Sequence, residues 1–126
     1  INMPYLNITT NVPVNKRQKE TIERAISKAI LLIPKEKEEL LMVNFEDCAS
    51  LSLSGDFSTP AAMIELRVHN VVIEMNEAEL LEKVMSLATE VVNKVLDICP
   101  DRIYCTMPAV PYWTAAGLEI LKGILK

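Results

Sequence analysis

The residue types that most often carry out chemistry are few in this 126-residue chain. It has one histidine, His69, and three widely spaced cysteines, Cys48, Cys99 and Cys105. The cysteines form no Cys-x-x-Cys pair, and with a single histidine they lack the ligand spacing of a zinc site. Free cysteine usually packs as a small hydrophobic residue, so we expect reduced, partly buried thiols in a cytosolic protein. We therefore expect no metal and no other cofactor.

The beginning of the chain is unusual for a translated protein. Translation does not start with Ile1-Asn2, so Met3-Pro4 is interpreted as the natural start and Ile1-Asn2 as residues added to it. The length suffices for one hydrophobic core but not for two. We therefore expect a single domain over residues 1–126.

The composition argues against several classes of protein. The formal net charge is −4, whereas a nucleic-acid-binding domain normally carries a basic face. The sequence contains no run of about 18 apolar residues that would predict a membrane span. It also shows no basic segment followed by an apolar stretch that would predict a signal peptide. We therefore expect a cytoplasmic protein with no nucleic-acid or membrane partner, while export by an unconventional route stays open.

The first part of the chain predicts a strand followed by a helix. Residues 5–12 alternate apolar and polar side chains, as a half-buried strand does. Asn15, with Gln18 three residues later, predicts the start of a helix, and Pro34 predicts its end. One face of this helix carries an apolar stripe, formed by Ile22, Ala25, Ile26, Ala29, Ile30 and Ile33.

Three segments in the middle of the chain predict strands and a turn between them. Residues 40–46 are nearly all apolar, which favours a central strand. Residues 49–54 alternate serine with leucine and predict a weaker or edge strand, and residues 55–60 predict a turn. Residues 61–68 alternate clearly and predict a third strand.

The remaining segments predict a second helix, a last strand and a tail. Asn76 and Glu79 predict a capping-box start for an amphipathic helix that ends near Leu96. Residues 102–107 predict the last clear strand. The apolar tail, residues 118–125, has a pattern that favours helix over strand.

The order of these elements indicates an α+β fold made of two β-α-β units. We expect both helices on one face of a four-stranded mixed sheet. Two helices cover only one face, and the strands are too apolar to leave the other face in water. We therefore expect the chain to oligomerise through its sheet.

Three patches of the sequence carry a family resemblance. Residues 3–13 read Met-Pro-Tyr-Leu-Asn-Ile-Thr-Thr-Asn-Val-Pro, and residues 100–104 read Pro-Asp-Arg-Ile-Tyr. A third patch, residues 55–60, runs from a glycine to a proline before a strand and is one residue longer than its counterpart. Together the patches resemble the macrophage migration inhibitory factor (MIF)-like family of the tautomerase superfamily, over roughly residues 3–107.

The resemblance implies a homotrimer whose sheets form a central barrel, and an activity that transfers a proton at a carbon next to a carbonyl. The implied base is the secondary amine of Pro4, set free when the initiator methionine is removed. An apolar pocket or a nearby positive charge disfavours the ammonium form and lowers the pKa of such an amine toward neutrality. While residues 1–3 are present, Pro4 is an internal amide without a basic nitrogen, and we expect the chain to be inactive.

The resemblance also implies a set of residues that bind a small 2-keto acid such as phenylpyruvate. Tyr104 matches the family's pocket tyrosine, which comes from the neighbouring subunit, and Thr106 stands where the family has a polar residue. His69 falls near a position that contacts substrate through its backbone. The family's lysine is absent, since aligning the prolines puts Ile33 in its place.

Three further residues are candidates for the same pocket. Lys35 follows the missing lysine's position by two residues and could substitute for it. Arg67 shares a strand face with His69, and a guanidinium suits a carboxylate. Trp113 is expected to pack over the pocket or the trimer edge. The Cys-x-x-Cys found in some family members is missing, so we expect no oxidoreductase activity.

Three functions stay open at this point. The first is a keto–enol tautomerase of a small aromatic or unsaturated 2-keto acid, placed first because Pro4 directly follows Met3. The second is a non-catalytic, cytokine-like trimer that binds a protein receptor, which the missing lysine would fit. The third is an unrelated ferredoxin-like regulatory domain that binds a small ligand between subunits, which a monomer or dimer would favour.

Overall fold

The secondary structure follows the predicted order over most of the chain. The computed structural model describes residues 4–36 and 40–119. Its strands are β1 (Tyr5–Thr10), β2 (Met42–Glu46), β3 (Ala62–His69), β4 (Ile103–Thr106), β5 (Ala109–Val110), β6 (Thr114–Ala115) and β7 (Leu118–Glu119). Its helices are α1 (Lys16–Ile30), α2 (Asn70–Met75) and α3 (Ala78–Leu96), and a 3-10 turn (Pro100–Arg102) precedes β4.

Four strands form a mixed sheet in the order β2-β1-β3-β4, and the short β5 extends the pairing of β3. Strands β1 and β2 are parallel, β1 and β3 are antiparallel, and β3 and β4 are parallel. This confirms the predicted α+β fold with its mixed sheet. Within the described ranges, no helix is both long and apolar enough to cross a membrane.

The hydrophobic core lies between the sheet and the helices α1 and α3. Alternate residues of β1 and β3 face it, among them Leu6, Ile8 and Leu66, because side chains along a strand point to opposite faces. Helix α1 contributes Ile22, Ile26, Ala29 and Ile30 of the predicted stripe, whereas Ala25 is half buried and Ile33 reaches the core from beyond the end of the helix. Helix α3 contributes Leu81, Val84, Ala88, Val92 and Leu96. Each large apolar side chain buried in this way stabilises the fold by about 1.5–3 kcal/mol.

The start of α1 forms as its sequence predicts. The side chain of Asn15 accepts a hydrogen bond from the backbone N–H of Gln18 (2.8 Å). The side chain of Gln18 accepts one in return from the backbone N–H of Asn15 (2.9 Å). The two bonds satisfy donors that a helix start leaves without partners. The helix ends at Ile30, four residues before Pro34, and turns carry the chain onward.

Strand β2 is an edge strand, so the predicted central position of residues 40–46 is wrong. Its apolar residues divide between the two faces: Val43 and Phe45 pack on the core, whereas Met42 is 68% exposed on the helix-free face. The helix-free face is also more polar than expected. Its polar residues are Asn7, Thr9, Asn44, Glu46, Glu65, Arg67 and Thr106, and its apolar or aromatic residues are Tyr5, Met42, Met63 and Tyr104.

Several local predictions were also wrong. Residues 49–54 form no strand apart from a bridge between Leu53 and Asp56. Asn76 does not cap α3: its side chain donates to the carbonyl of Val72 at the end of α2, a helix the sequence pattern did not reveal. Helix α3 begins after Glu77, which makes no side-chain cap.

The tail and the cysteines differ from expectation as well. Leu118–Glu119 pairs with Thr114–Ala115 as a two-stranded hairpin, and the rest of the predicted helical tail lies outside the described residues. Cys48 and Cys99 are exposed rather than partly buried. Only Cys105 is half buried, and burial raises the pKa of its thiol to about 11, which disfavours the reactive thiolate.

Candidate active site

Pro4 is buried directly before β1. Its carbonyl accepts a hydrogen bond from the backbone N–H of Met42 (3.1 Å). The next residue, Tyr5, lies between Met42 of β2 and Arg67 of β3 in the sheet register. The beginning of β1 is therefore held on both sides, and Pro4 has a fixed position at this end of the sheet.

We call this part of the molecule the proline end: the end of the sheet where β1 and β2 begin and β3 finishes. Parallel strands joined by a helix start at the same edge, so α1 must return the chain to this end before β2. Lys35 and Glu36 lie on that returning segment. Strand β3 runs the opposite way and brings Arg67 and His69 to the same end.

Arg67 supplies positive charge on the helix-free face near the proline end. Its guanidinium lies over the ring of Tyr5, 5.5 Å from the ring centroid, and 3.7 Å from the carboxylate of Glu65. The side chain is exposed, so the ion pair with Glu65 holds it only weakly. Its donors therefore remain accessible to an anionic ligand.

His69 is buried and both of its ring nitrogens have partners. Nδ1 accepts a hydrogen bond from the backbone N–H of Val71 (3.1 Å), which caps the start of α2. Nε2 lies 2.9 Å from the carbonyl oxygen of Pro111, so it carries the proton and donates it. The ring thus links α2 to the segment after β5, and contact with a substrate through the His69 backbone stays a prediction.

Lys35 and Glu36 differ sharply although they are neighbours. Lys35 is exposed in a left-handed backbone conformation (φ 70°). Glu36 is only 8% exposed, and its Oε2 atom has no hydrogen-bond partner among the residues that the structure describes. Burial raises the pKa of its carboxyl to about 7. The burial of Glu36 was not predicted from the sequence, because the run Lys-Glu-Lys-Glu-Glu over residues 35–39 resembles a solvated loop.

Ile33 is the residue that the resemblance aligns with the family's lysine. It is 2% exposed and forms part of the hydrophobic core. A lysine could not replace this side chain without placing a charge in the core, which is costly. The cationic candidates at the proline end are therefore Lys35 and Arg67.

Tyr104 lies far from Pro4 within one chain. Tyr104 pairs with Met63 near the start of β3. Pro4 directly precedes Tyr5, which pairs with Arg67 near the end of β3. Five strand positions separate the two levels, which corresponds to about 16 Å. Thr106 pairs with Glu65 between them and is exposed on the helix-free face. Trp113 is half buried just before β6.

Tyr104 instead borders a small groove at the other end of the sheet. The groove has a volume of about 120 Å³. Its lining is formed by Leu51, Ser52, Leu53, Ala61, Ala62, Met63, Arg102 and Tyr104. Tyr104 is 58% exposed there, so its ring is available to a second chain or a ligand.

Arg102 of the Pro-Asp-Arg-Ile-Tyr patch holds a loop at this end. Its Nε donates to the carbonyl of Pro60 (3.0 Å), and its Nη2 donates to the carbonyls of Asp56 and Thr59 (both 3.0 Å). We call residues 56–60 the clamp loop, and the end of the sheet that carries it the clamp end. This arginine is engaged by backbone oxygens, so its role here is structural.

Asn11 of the first patch holds the same loop from β1. Its side-chain amide lies within hydrogen-bond distance of three carbonyl oxygens, those of Leu51, Phe57 and Thr59. Its side-chain oxygen accepts from the backbone N–H of Ala61 (2.9 Å). Two of the patches that carry the resemblance thus form a common clamp.

The fold is that of the MIF proteins, and the comparisons with solved structures show this directly. Leishmania major MIF2 superposes with a TM-score of 0.80 at 18% identity, over 93% of this chain and 97% of that one. The MIF homologue from Prochlorococcus marinus gives 0.76 at 22% identity, over 91% and 97%. A fused 4-OT, described as a symmetric trimer, gives 0.78 at 14% identity, over 94% and 98%.

These similarities confirm the fold that the sequence patches predicted. They do not support the third alternative, an unrelated ferredoxin-like domain. The chain matches no protein-family model, and no curated protein matches it by sequence. Because one fold serves several functions, the function has to be argued from the site itself.

Proposed function

We propose that the protein is a keto–enol tautomerase of a small aromatic or unsaturated 2-keto acid, such as phenylpyruvate. The base is the amine of Pro4 once residues 1–3 are removed. The observation that carries the proposal is the position of Pro4, which is buried directly before β1 and bonded through its carbonyl to Met42 of β2. Burial disfavours the ammonium form, and the positive charge of Arg67 nearby acts in the same direction.

The chemistry requires one proton to leave carbon and another to reach oxygen. The neutral amine of Pro4 takes a proton from the carbon next to the carbonyl, and an N–H bond forms as the C–H bond breaks. The electron pair moves to the carbonyl oxygen, which is protonated to give the enol. Arg67 and Lys35 hold the carboxylate of the substrate and orient that carbon toward Pro4.

The proposal includes a trimer, because one chain does not bring its own Tyr104 to Pro4. The roughly 16 Å between their strand levels fits a site to which a neighbouring chain contributes its tyrosine. The open edge of β2 and the exposed Met42 beside it offer a surface for that neighbour. Light scattering is expected to give the mass of three chains, and a monomer at micromolar concentration would contradict the shared site.

The direct test compares two forms of the chain in a keto–enol assay with phenylpyruvate. One form begins at Pro4, as verified by mass spectrometry, and the other keeps residues 1–3. We expect catalysis only in the first form, because only there is the nitrogen basic. Pro13→Ala in the first form is the matched control, since Pro13 is exposed and lies away from the site. Equal rates in both forms would refute the role of Pro4.

A second function is favoured by one observation, the burial of Ile33 where the resemblance implies a lysine. A cytokine-like trimer that binds a protein receptor does not need that cation. If the form that begins at Pro4 is trimeric but lacks activity toward 2-keto acids, this binding function replaces the enzymatic one. A cytoplasmic location stays a prediction under either function.

A further inference from the structure

Glu36 is a buried acid for which the fold provides no evident use. It is only 8% exposed, and Oε2 has no partner among the described residues. Buried carboxylates are rare unless they are paired, because removing the charge from water is costly. Within the described ranges no lysine, arginine or histidine nitrogen lies within 4.0 Å of this carboxyl. An acid kept in this state suggests a function.

The backbone places Glu36 at the proline end. Its N–H donates to the carbonyl of Ile33 (3.2 Å), and Ile33 is anchored in the core. Six residues later the N–H of Met42 donates to the carbonyl of Pro4. Glu36 therefore lies on the short segment that leads from α1 to the strand start beside Pro4.

The positive charge of the amino terminus lowers the pKa of Glu36, but burial outweighs it. The other titratable groups at this end have partners of their own or are exposed. Both nitrogens of His69 have backbone partners. Arg67 contacts Glu65 and the ring of Tyr5. Lys35 is exposed. None of these groups explains why the neighbouring carboxyl is buried.

We propose that Glu36 is a second catalytic residue of this site, a protonated carboxyl that donates its proton to the carbonyl oxygen of the substrate while the Pro4 amine removes the proton from carbon. The inference rests on the proposed tautomerase function and adds the general acid that this function lacks.

The proton balance of this step is complete. The amine of Pro4 gains the carbon-bound proton and becomes an ammonium, and Glu36 loses its proton to the oxygen and becomes a carboxylate. The product is the enol. The reverse sequence, or exchange of both protons with water, restores the neutral amine and the protonated acid, so no other reactant is needed.

The chemistry also limits the substrate. A protonated carboxyl can donate a hydrogen bond to a neutral carbonyl, but once ionised it repels an anion. The site should therefore prefer acids with one carboxylate, held by Arg67 or Lys35, over diacids whose second carboxylate would approach Glu36. A carboxyl that titrates near pH 7 is poised for such proton transfer at neutral pH.

The test is Glu36→Gln in the form that begins at Pro4, with Glu82→Gln on the exposed face of α3 as the matched control. Glutamine keeps the size of the side chain but cannot donate an acidic proton. We expect kcat to fall about 100-fold, and the limb of the pH–rate profile near pH 7 to disappear. The melting temperature should rise, because an unpartnered buried acid is removed. Glu82→Gln should change none of these quantities.

Two results would overturn the inference, and they differ from a failure of the proposed function. The first is an unchanged kcat and pH–rate profile in Glu36→Gln while the parent form is active. The second is a loss of kcat accompanied by a lower melting temperature and an unchanged profile, which would show that Glu36 is structural. If the parent form that begins at Pro4 has no activity, the tautomerase function itself is wrong.

Discussion

The two ends of the sheet are built in opposite ways. At the clamp end, Asn11 and Arg102 bind the carbonyls of the loop, and Asp56 accepts bonds from Ser58 and Thr59. At the proline end, an acid is buried with an oxygen unpartnered among the described residues. The side-chain hydrogen bonds that hold a loop are therefore found at one end of the sheet, whereas the groups proposed to transfer protons lie at the other.

The residues that identify the fold and the residues proposed to act in catalysis lie at different ends of the sheet. Asn11 and Arg102 belong to the patches that carry the family resemblance, and their side chains hold the clamp loop at the end of the sheet opposite Pro4. Glu36 belongs to no recognisable motif, yet its burial makes it the most unusual acid described. Residues that identify a fold therefore need not be the residues that act in it.

The difference between the two ends should be greatest in the pH dependence of stability, and Glu36 dominates it at the proline end. The pKa of Glu36 rises from 4.5 to about 7 on folding. The folded chain therefore keeps a proton that the unfolded chain loses, so the contribution of Glu36 to stability is fully present below pH 4.5 and is lost as the pH rises through about 7. Between pH 4.5 and pH 8 this group should remove about 3 kcal/mol of the free energy of unfolding.

Urea unfolding of the parent and of Glu36→Gln at a series of pH values measures this contribution. The difference between the two should grow over that window and then level off. The clamp end predicts the opposite sign in a more acidic range: hydrogen bonds from Thr59 and Ser58 lower the pKa of Asp56 from 3.8 to about 2. Its contribution is present above pH 3.8 and is lost as the pH falls toward 2. Parallel pH curves for the parent and Glu36→Gln would show that the pKa of Glu36 is not raised on folding.

A smaller effect is expected from Arg102→Ala at the clamp end. The substitution removes three hydrogen bonds to backbone carbonyls, two of them exposed, and should lower the free energy of unfolding by about 2 kcal/mol. Arg24→Ala, on the exposed side of α1, is the matched control and should have little effect. An Arg102→Ala variant as stable as the parent would show that the clamp does not hold this end.

The sequence predicts those parts of the fold in which one local signal agrees with the tertiary structure. Asn15 and Gln18 cap α1 as expected, and the alternation over residues 61–68 gives a strand that differs by one residue at each end. Local sequence signals fail where contacts with other parts of the chain determine the structure. Asn76 suits a cap but is taken by the end of α2, and the apolar run near Met42 belongs to an edge strand whose residues face both sides.

The candidate site was predictable only in part for the same reason. Pro4 is marked by its place after Met3, and Arg67 by its strand face. Topology, and not spacing in the sequence, separates Pro4 from Tyr104 within one chain. The burial of Glu36 depends on how the segment after α1 packs, and a run of charged residues gives no sign of that.

The role of Pro4 as the base depends on the pKa of its amine. This pKa can be measured by NMR titration of the proline nitrogen in 15N-labelled chain that begins at Pro4. We expect a pKa of about 7 or lower, below the ordinary value of an α-amino group near 8, because burial and Arg67 disfavour the ammonium. A pKa of about 8 or higher would leave the amine protonated at neutral pH and would contradict Pro4 as the base.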